Sequence, residues 1–252
     1  MPILSSATAA LRWRLLSAVH SRTIPLGKSG PFVSFTFDDF PRTAYTAGGS
    51  ILKNGGARGT YYVAMGLMGA LTEAGEHFLP DDLCSLSADG HELASHTFAH
   101  GSSYKMPLDA FQQDVWKGYR AMHEMRVSGL TRNFAYPFGD VTLAAKKALG
   151  KEMTSCRGIF AGLNGPRIDL NLLKANPIRG DLDHLPRLER LIRQNEELAS
   201  WLIFYTHDVR PNPSCFGCTP ELLEAVVGLA SRHSAAVLPV VEVLRLLQAD
   251  RA

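Results

Sequence analysis

From Phe32 onward, short apolar runs rich in β-branched and aromatic residues alternate with longer stretches of helical periodicity. This alternation constrains the fold more than any other feature, because strands separated by helices pair in parallel, with helices covering the sheet. The runs cover residues 32–39, 58–65, 92–95, 133–138, 155–160, 172–178, 201–206 and 235–241. Helices are expected at 50–53, 81–88, 107–125, 142–149, 185–200 and 220–232, with one more at the C-terminal end. In the helix at 107–125, Phe111, Val115, Tyr119 and Met122 follow the spacing of a core-facing stripe. A chain of 252 residues, 46% of them hydrophobic, suffices for one large domain with a sizeable core.

The first run ends Phe35-Thr36-Phe37-Asp38-Asp39. Two adjacent carboxylates at a strand end repel each other and are costly to desolvate, so the pair needs a cation or solvent. Alone, the pair also reads as an Asp-rich turn opening a helix. Downstream, Ser95-His96-Thr97-Phe98-Ala99-His100 follows another strand and carries two imidazoles four residues apart. On a helical turn that spacing puts both on one face, within reach of one metal. One aspartate and two histidines are a suitable donor set for a catalytic divalent ion with a position left open. Asp39 is the expected carboxylate ligand, leaving Asp38 as a base. A third strand-like run, Ile203-Phe204-Tyr205-Thr206-His207-Asp208, ends on an imidazole that can act as an acid.

Taken in order, Thr-Phe-Asp-Asp, His-Thr-x-x-His, Tyr136-Pro137-Phe138-Gly139 and the strand ending at His207 resemble the polysaccharide deacetylases, the NodB-homology group also called carbohydrate esterase family four. The resemblance runs from about Phe32 to the last helix. It implies a single-domain, distorted (β/α) barrel of about seven parallel strands, with reactive groups gathered where strands end. It implies one divalent ion, zinc before cobalt, nickel or iron, held by Asp39, His96 and His100. Asp38 would take a proton from water, His207 would protonate the departing amine, and the N–H of Phe138 would help to hold the oxyanion, with Tyr136 and Tyr205 lining the substrate side.

Three positions depart from the family pattern. Where the family has an arginine three residues before the aromatic matched by Phe138, this chain has Ala135. Tyr205 replaces a leucine of the acetyl pocket, and the fourth motif with its tryptophan has no better match than Asp181-Leu182-Asp183. The missing arginine holds the catalytic aspartate in place, so a substitute is required. Arg179, in Pro177-Ile178-Arg179-Gly180 after a strand-like segment, is the expected one. Variants of this kind resemble deacetylases of bacterial exopolysaccharides and adhesins, including holdfast types. The alternatives are an amidohydrolase on a small or lipid-linked formamido or acetamido sugar, and a silent carbohydrate-binding relative, although Asp38 and the metal ligands are all retained.

The charge balance, 26 basic against 24 acidic residues, leaves no electrostatic footprint for nucleic acid. The expected partner is an acetylated polysaccharide or a lipid-linked oligosaccharide. Residues 1–28 form an N-terminal amphipathic segment ahead of a catalytic domain over 29–252. Arginines interrupt its apolar residues, so it has neither a secretory core of about 7–15 residues nor a membrane span of about 20. The chain therefore reads as cytoplasmic, with the segment packed outside the barrel or resting on an anionic membrane surface. Four cysteines suit reduced thiols, and Cys215-Phe216-Gly217-Cys218 reads as a loop without metal or, less simply, a surface disulfide. His91, ahead of its strand, reads as structural or solvent-facing rather than as a ligand.

Overall fold

The computed structural model describes residues 15–27 and 30–249. Its main sheet uses β1 (Phe32–Asp38), β2 (Thr60–Val63), β3 (Glu92–Ser95), β4 (Leu130–Ala135), β5 (Ser155–Arg157), β6 (Asn176–Pro177), β7 (Trp201–Thr206) and β8 (Ala236–Val237). The strand order is β6-β7-β1-β2-β3-β4-β5, every pairing is parallel, and β8 covers the lower part of the β1 edge that β2 covers above. All seven residues of β1 are buried, as a parallel strand covered on both faces requires. The two ends of the sheet are joined by one segment. Leu173 N–H donates to Cys156 O and its carbonyl accepts from Gly158, and three residues later the same chain becomes β6 beside β7. That short shared stretch closes the sheet into a distorted barrel of parallel strands.

Around it lie α1 (Ser50–Asn54), α2 (Pro80–Ala88), α3 (Leu108–Glu124), α4 (Leu143–Glu152), α5 (Leu185–Glu197), α6 (Pro220–Arg232) and α7 (Val240–Ala249). Because side chains alternate across a strand, Val33, Phe35 and Phe37 of β1 pack outward in one cluster with Leu52 of α1 and Leu222, Leu223 and Val226 of α6. Ser34, Thr36 and Asp38 therefore face inward. The interior is small and polar: Tyr62, Ala94 and Ala135 touch there, and below them the buried Glu92 carboxylate accepts from Thr60, Thr131, Asn133 and the N–H of Val241 at the start of α7. A carboxylate at a helix N-terminus is favourably placed, so Glu92 ties α7 under the barrel.

The described part of the N-terminal segment, residues 15–27, packs on the barrel's outside. Leu16 joins a cluster with Phe111 and Val115, buried Lys146 donates to the carbonyls of Leu16 and Val19, and Thr23–Pro25 pairs antiparallel with Arg167–Asp169. Residues 1–14 and 28 of that segment lie outside the described residues. Among the described residues no helix is long and apolar enough to cross a membrane. Neither the Thr23–Pro25 pairing nor the hairpin of Leu71–Thr72 with Gly75–Glu76 is foreshadowed in the sequence, because two- and three-residue strands leave no periodic signal. His91 is buried and accepts the N–H of Gly59 through Nδ1 at 3.0 Å, which settles it as structural.

Candidate active site

The upper end of β1 presents both carboxylates because the chain turns sharply there. Asp39 and Phe40 adopt left-handed backbone angles, φ 64° and 62°, which side chains other than glycine rarely accept. Of the eight non-glycine residues with positive φ among those described, Asp39, Phe40, Thr97, His100 and Phe138 all belong to this end of the barrel. Such strain persists only where surrounding contacts enforce it. Here the N–H of Phe78 donates to Phe40 O at 3.1 Å, and His77 Nδ1 lies 3.3 Å from Asp39 O while its Nε2 meets Thr72 Oγ1 at 3.0 Å. His77 lines the same cleft, and its place in a polar stretch gave no sign of that role.

The two histidines beyond β3 are not on a helical turn. Residues 96–101 are irregular, with φ 68° at Thr97 and 55° at His100, so four-residue spacing brings the imidazoles together by a different route. Their ring centroids are 5.0 Å apart. The loop is held from behind by α3: Asp114 accepts the N–H of Ala99 at 3.0 Å, its carbonyl accepts that of Phe98, and a Cβ on Gly118 would sit 2.4 Å from Thr97 O. His96 Nδ1 faces Ala135 O at 2.8 Å, which leaves Nε2 as the free lone pair.

The donors converge on one point. Asp39 Oδ1 is 3.1 Å from His100 Nε2 and 3.4 Å from His96 Nε2, and one donor atom from each of the three residues falls within 4.8 Å of the others. Asp39 Oδ1 is buried with no hydrogen-bond partner among the described residues, the condition of an acceptor awaiting a cation. Burial pushes Asp39 up to about 6, His207 opposing and the Asp38 charge adding, while burial pulls His96 down to about 3 and lowers His100. Neutral imidazoles beside a carboxylate that lacks its counter-charge fit a divalent ion. Zinc suits this donor set.

Asp38 lies deeper, and its partner is Arg157. Burial alone would raise its pKa, but the Arg157 guanidinium, helped by His96 and His207, holds the carboxyl below the usual range. Arg157 ends β5 and donates to Asp38 Oδ1 from one terminal nitrogen and to Gly158 O from the other. Its guanidinium carbon lies 4.8 Å from the ring centroid of Tyr62 and 5.3 Å from that of Tyr205, so the cation is wedged between two rings. The expectation that Arg179 holds Asp38 is therefore corrected. Arg179 leaves the barrel after β6 and donates to Tyr205 Oη at 3.2 Å instead, because Tyr205 and Arg157 stand between it and the aspartate.

His207 follows β7, with Nε2 3.8 Å from Asp39 Oδ2 and its ring 5.3 Å from that of Phe216. Its Nδ1 is buried without a partner among the described residues. Asp208 turns away to accept from Ser214 and pair with Arg210. Phe138 is half exposed, 4.3 Å from the His100 ring, on the left-handed turn of the Pro137–Gly139 helical turn. Tyr136 packs edge-on to Phe134 in the core at the cleft's floor, so its hydroxyl is a poor candidate for touching substrate. Together these groups line a cleft of about 420 Å³ that also takes in Leu67, the Thr72–Ala74 turn and Ile159. Cys215 is exposed and Cys218 buried, both free thiols. Asp181 and Asp183 sit on an exposed turn.

Residues 27–153 match the polysaccharide deacetylase family. A chitin deacetylase from Colletotrichum lindemuthianum is 36% identical over 103 residues, a match that covers 38% of this chain and 40% of that protein's length. Among solved structures, the Xyl-CE4 domain of a multidomain xylanase from the hindgut metagenome of Trinervitermes trinervoides is similar with a TM-score of 0.58 and 14% identity, covering 86% of this chain and 91% of that one. PdaA from Bacillus subtilis, a family 4 carbohydrate esterase, gives 0.58 at 11% identity, covering 96% and 90%. The structure of the Colletotrichum lindemuthianum chitin deacetylase gives 0.55 at 18%, covering 85% and 88%. At these identities the structural likeness is one of fold.

Proposed function

The chain belongs to the polysaccharide deacetylase family, and from that membership we propose that it is a metal-dependent hydrolase removing N-acetyl groups from N-acetylhexosamine residues of a bacterial polysaccharide, an exopolysaccharide or adhesin. One observation carries the reading: the donor atoms of Asp39, His96 and His100 converge beside an ionised Asp38 and the imidazole of His207, in a single cleft. The relatives' named substrates, chitin and the N-acetylglucosamine of peptidoglycan, are sugars carrying the same acetamide.

Asp39, His96 and His100 would hold the divalent ion. When bound there, it supplies polarisation of an amide carbonyl and a lowered pKa for water. Asp38 is placed to accept a proton from the attacking water, and Arg157 keeps it charged and fixed in rotation for that task. His207, whose Nε2 lies 3.8 Å from Asp39 Oδ2, gives a proton to the departing amine, without which that amine is a poor leaving group. The N–H of Phe138 is assigned to the developing oxyanion, and its exposed ring gives a sugar an apolar face to rest on. Acetate and a free amino sugar result. We place the protein in the cytoplasm, a reading supported by four unpaired thiols.

Free-amine release from a panel of acetylated glycans, with and without chelator, tests this. Chelator-sensitive release from at least one N-acetylhexosamine polymer is expected. Failure on every member of the panel by metal-loaded protein would refute it.

A further inference from the structure

Among the described residues, the guanidiniums that end or follow β5, β6 and β7 stand at the mouth of the barrel, and two of these three are neutralised. Arg157 is bonded to Asp38, and Arg210 Nε lies 2.8 Å from Asp208 Oδ2. The third, Arg179, has no carboxylate within ion-pair distance among the described residues. Its single hydrogen bond there runs from a terminal nitrogen to the neutral phenol of Tyr205, and its Nε–H is buried without an acceptor. A buried donor left unmade is costly, more so on a charged group. The side chain is nevertheless held in place, with its guanidinium carbon 5.7 Å from the Tyr205 ring centroid and 5.2 Å from that of Phe216. Aromatic faces steady a cation but do not neutralise it.

This cation lines the cleft that holds the reacting groups. The Phe216 ring that flanks it also touches the His207 ring, so Arg179 lies one aromatic ring away from the group assigned to protonate the leaving amine. Glu73, the other charged side chain of the cleft apart from the aspartate pair and the imidazoles, belongs to the turn after β2. Its turn reaches over to the exit of β7, where Glu73 O accepts from Arg210 Nη2 at 2.6 Å, but among the described residues its carboxylate forms no ion pair with Arg179.

We infer that Arg179 seats an anionic substituent of the substrate, a carboxylate or a phosphate monoester, within one sugar ring of the amide that is cleaved. A planar fork with unused N–H groups is suited to two-point binding of either anion. The inference rests on the hydrolase reading above and narrows it: the preferred N-acetylhexosamine carries a negative charge, or adjoins a sugar that does. Tyr205 then has a supporting task, holding the guanidinium toward the cleft through its hydroxyl.

The test measures KM and kcat of acetate release on three matched oligosaccharides. One is a neutral N-acetylglucosamine oligomer, the second bears an ether-linked lactyl carboxylate, and the third a 6-phosphate. The parent should show a lower KM for the carboxylate or the phosphate form than for the neutral one, and whichever is preferred identifies the anion. Arg179→Gln should raise the KM of that form by about ten-fold or more and narrow the ratio to the neutral substrate. Tyr205→Phe, which keeps the Arg179 charge but removes the hydroxyl that holds it, should narrow the ratio by less than Arg179→Gln does. Equal KM for all three in the parent, or an unchanged ratio in Arg179→Gln at parental metal content, overturns the inference and leaves the hydrolase reading standing. No turnover of any of the three by metal-loaded parent overturns both.

Discussion

Arg157 and Asp38 meet across the barrel mouth, the guanidinium at the end of β5 donating to Oδ1 of the carboxylate at the end of β1. The strand that would bear the family's arginine ends instead in Ala135, which gives its carbonyl to His96. A neighbouring strand thus supplies the cation, and its buried place between Tyr62 and Tyr205 fixes the plane of the fork. Arg157→Lys is expected to lower kcat about a hundred-fold at unchanged metal content, since a point charge cannot hold the carboxylate's rotation. Near-parental turnover in that variant would detach Arg157 from the chemistry.

The histidine loop depends on a contact behind it. A methyl group at Gly118 would stand 2.4 Å from Thr97 O, so Gly118→Ala must push the loop carrying His96 and His100 outward. Metal affinity should fall by roughly 10–100-fold, the usual cost of disturbing the groups that orient ligands. Gly228→Ala, whose Cβ would meet only the flexible end of Arg232, serves as the control and should bind metal as the parent does. Equal affinities in the two variants, measured by competition with a chromogenic chelator, would contradict this account of the loop.

Binding and proton transfer are separable. Asp38→Asn and His207→Ala should retain metal and fold while each loses about 10²–10⁴ in turnover, the range of a removed proton-transfer group. Loss of metal in either, with rate regained when metal is added, would reverse the assignments.

His91 gives a pH dependence of stability away from the site. Burial holds its pKa at about 4, with Arg58 and Lys53 adding and Asp89 opposing. The folded value lies below the ordinary 6.5, so between these limits the unfolded chain binds more protons and stability is lost as pH falls from about 6.5 to about 4. Urea unfolding at pH 7.5 and pH 4.5 should show the parent losing on the order of 2 kcal/mol more than His91→Gln over that interval. Parallel losses in the two proteins would count against it.

Much of this was legible in the residues. Trp201–Thr206 and Pro220–Arg232 fall where their periodicity puts them, because a buried parallel strand and an amphipathic helix each impose a strong pattern. Asp38, Asp39, His96, His100 and His207 stand out in the sequence because adjacent carboxylates, two imidazoles four residues apart and a strand-final histidine occur in an order that resembles one family. The rule that strand ends gather at one mouth pointed to Arg179 and passed over Arg157, although Arg157 also ends a strand. Which of the two meets Asp38 depends on which strand lies across from β1 once the barrel closes through Leu173, a long-range pairing. Asp114, Gly118 and His77 were invisible for a similar reason. They act through loops whose left-handed residues, Asp39, Thr97 and His100, carry no sequence signature of their own.

The central claim is that Asp39, His96 and His100 hold the ion on which amide cleavage depends. Its most direct test is acetate and free amine counted together from an N-acetylglucosamine oligomer, for metal-loaded parent and for the Asp39→Ala, His96→Ala, His100→Ala triple variant. The parent should release the two products in equal amounts and the variant should bind no stoichiometric metal and release neither. Stoichiometric metal or parental release in the triple variant would contradict the account.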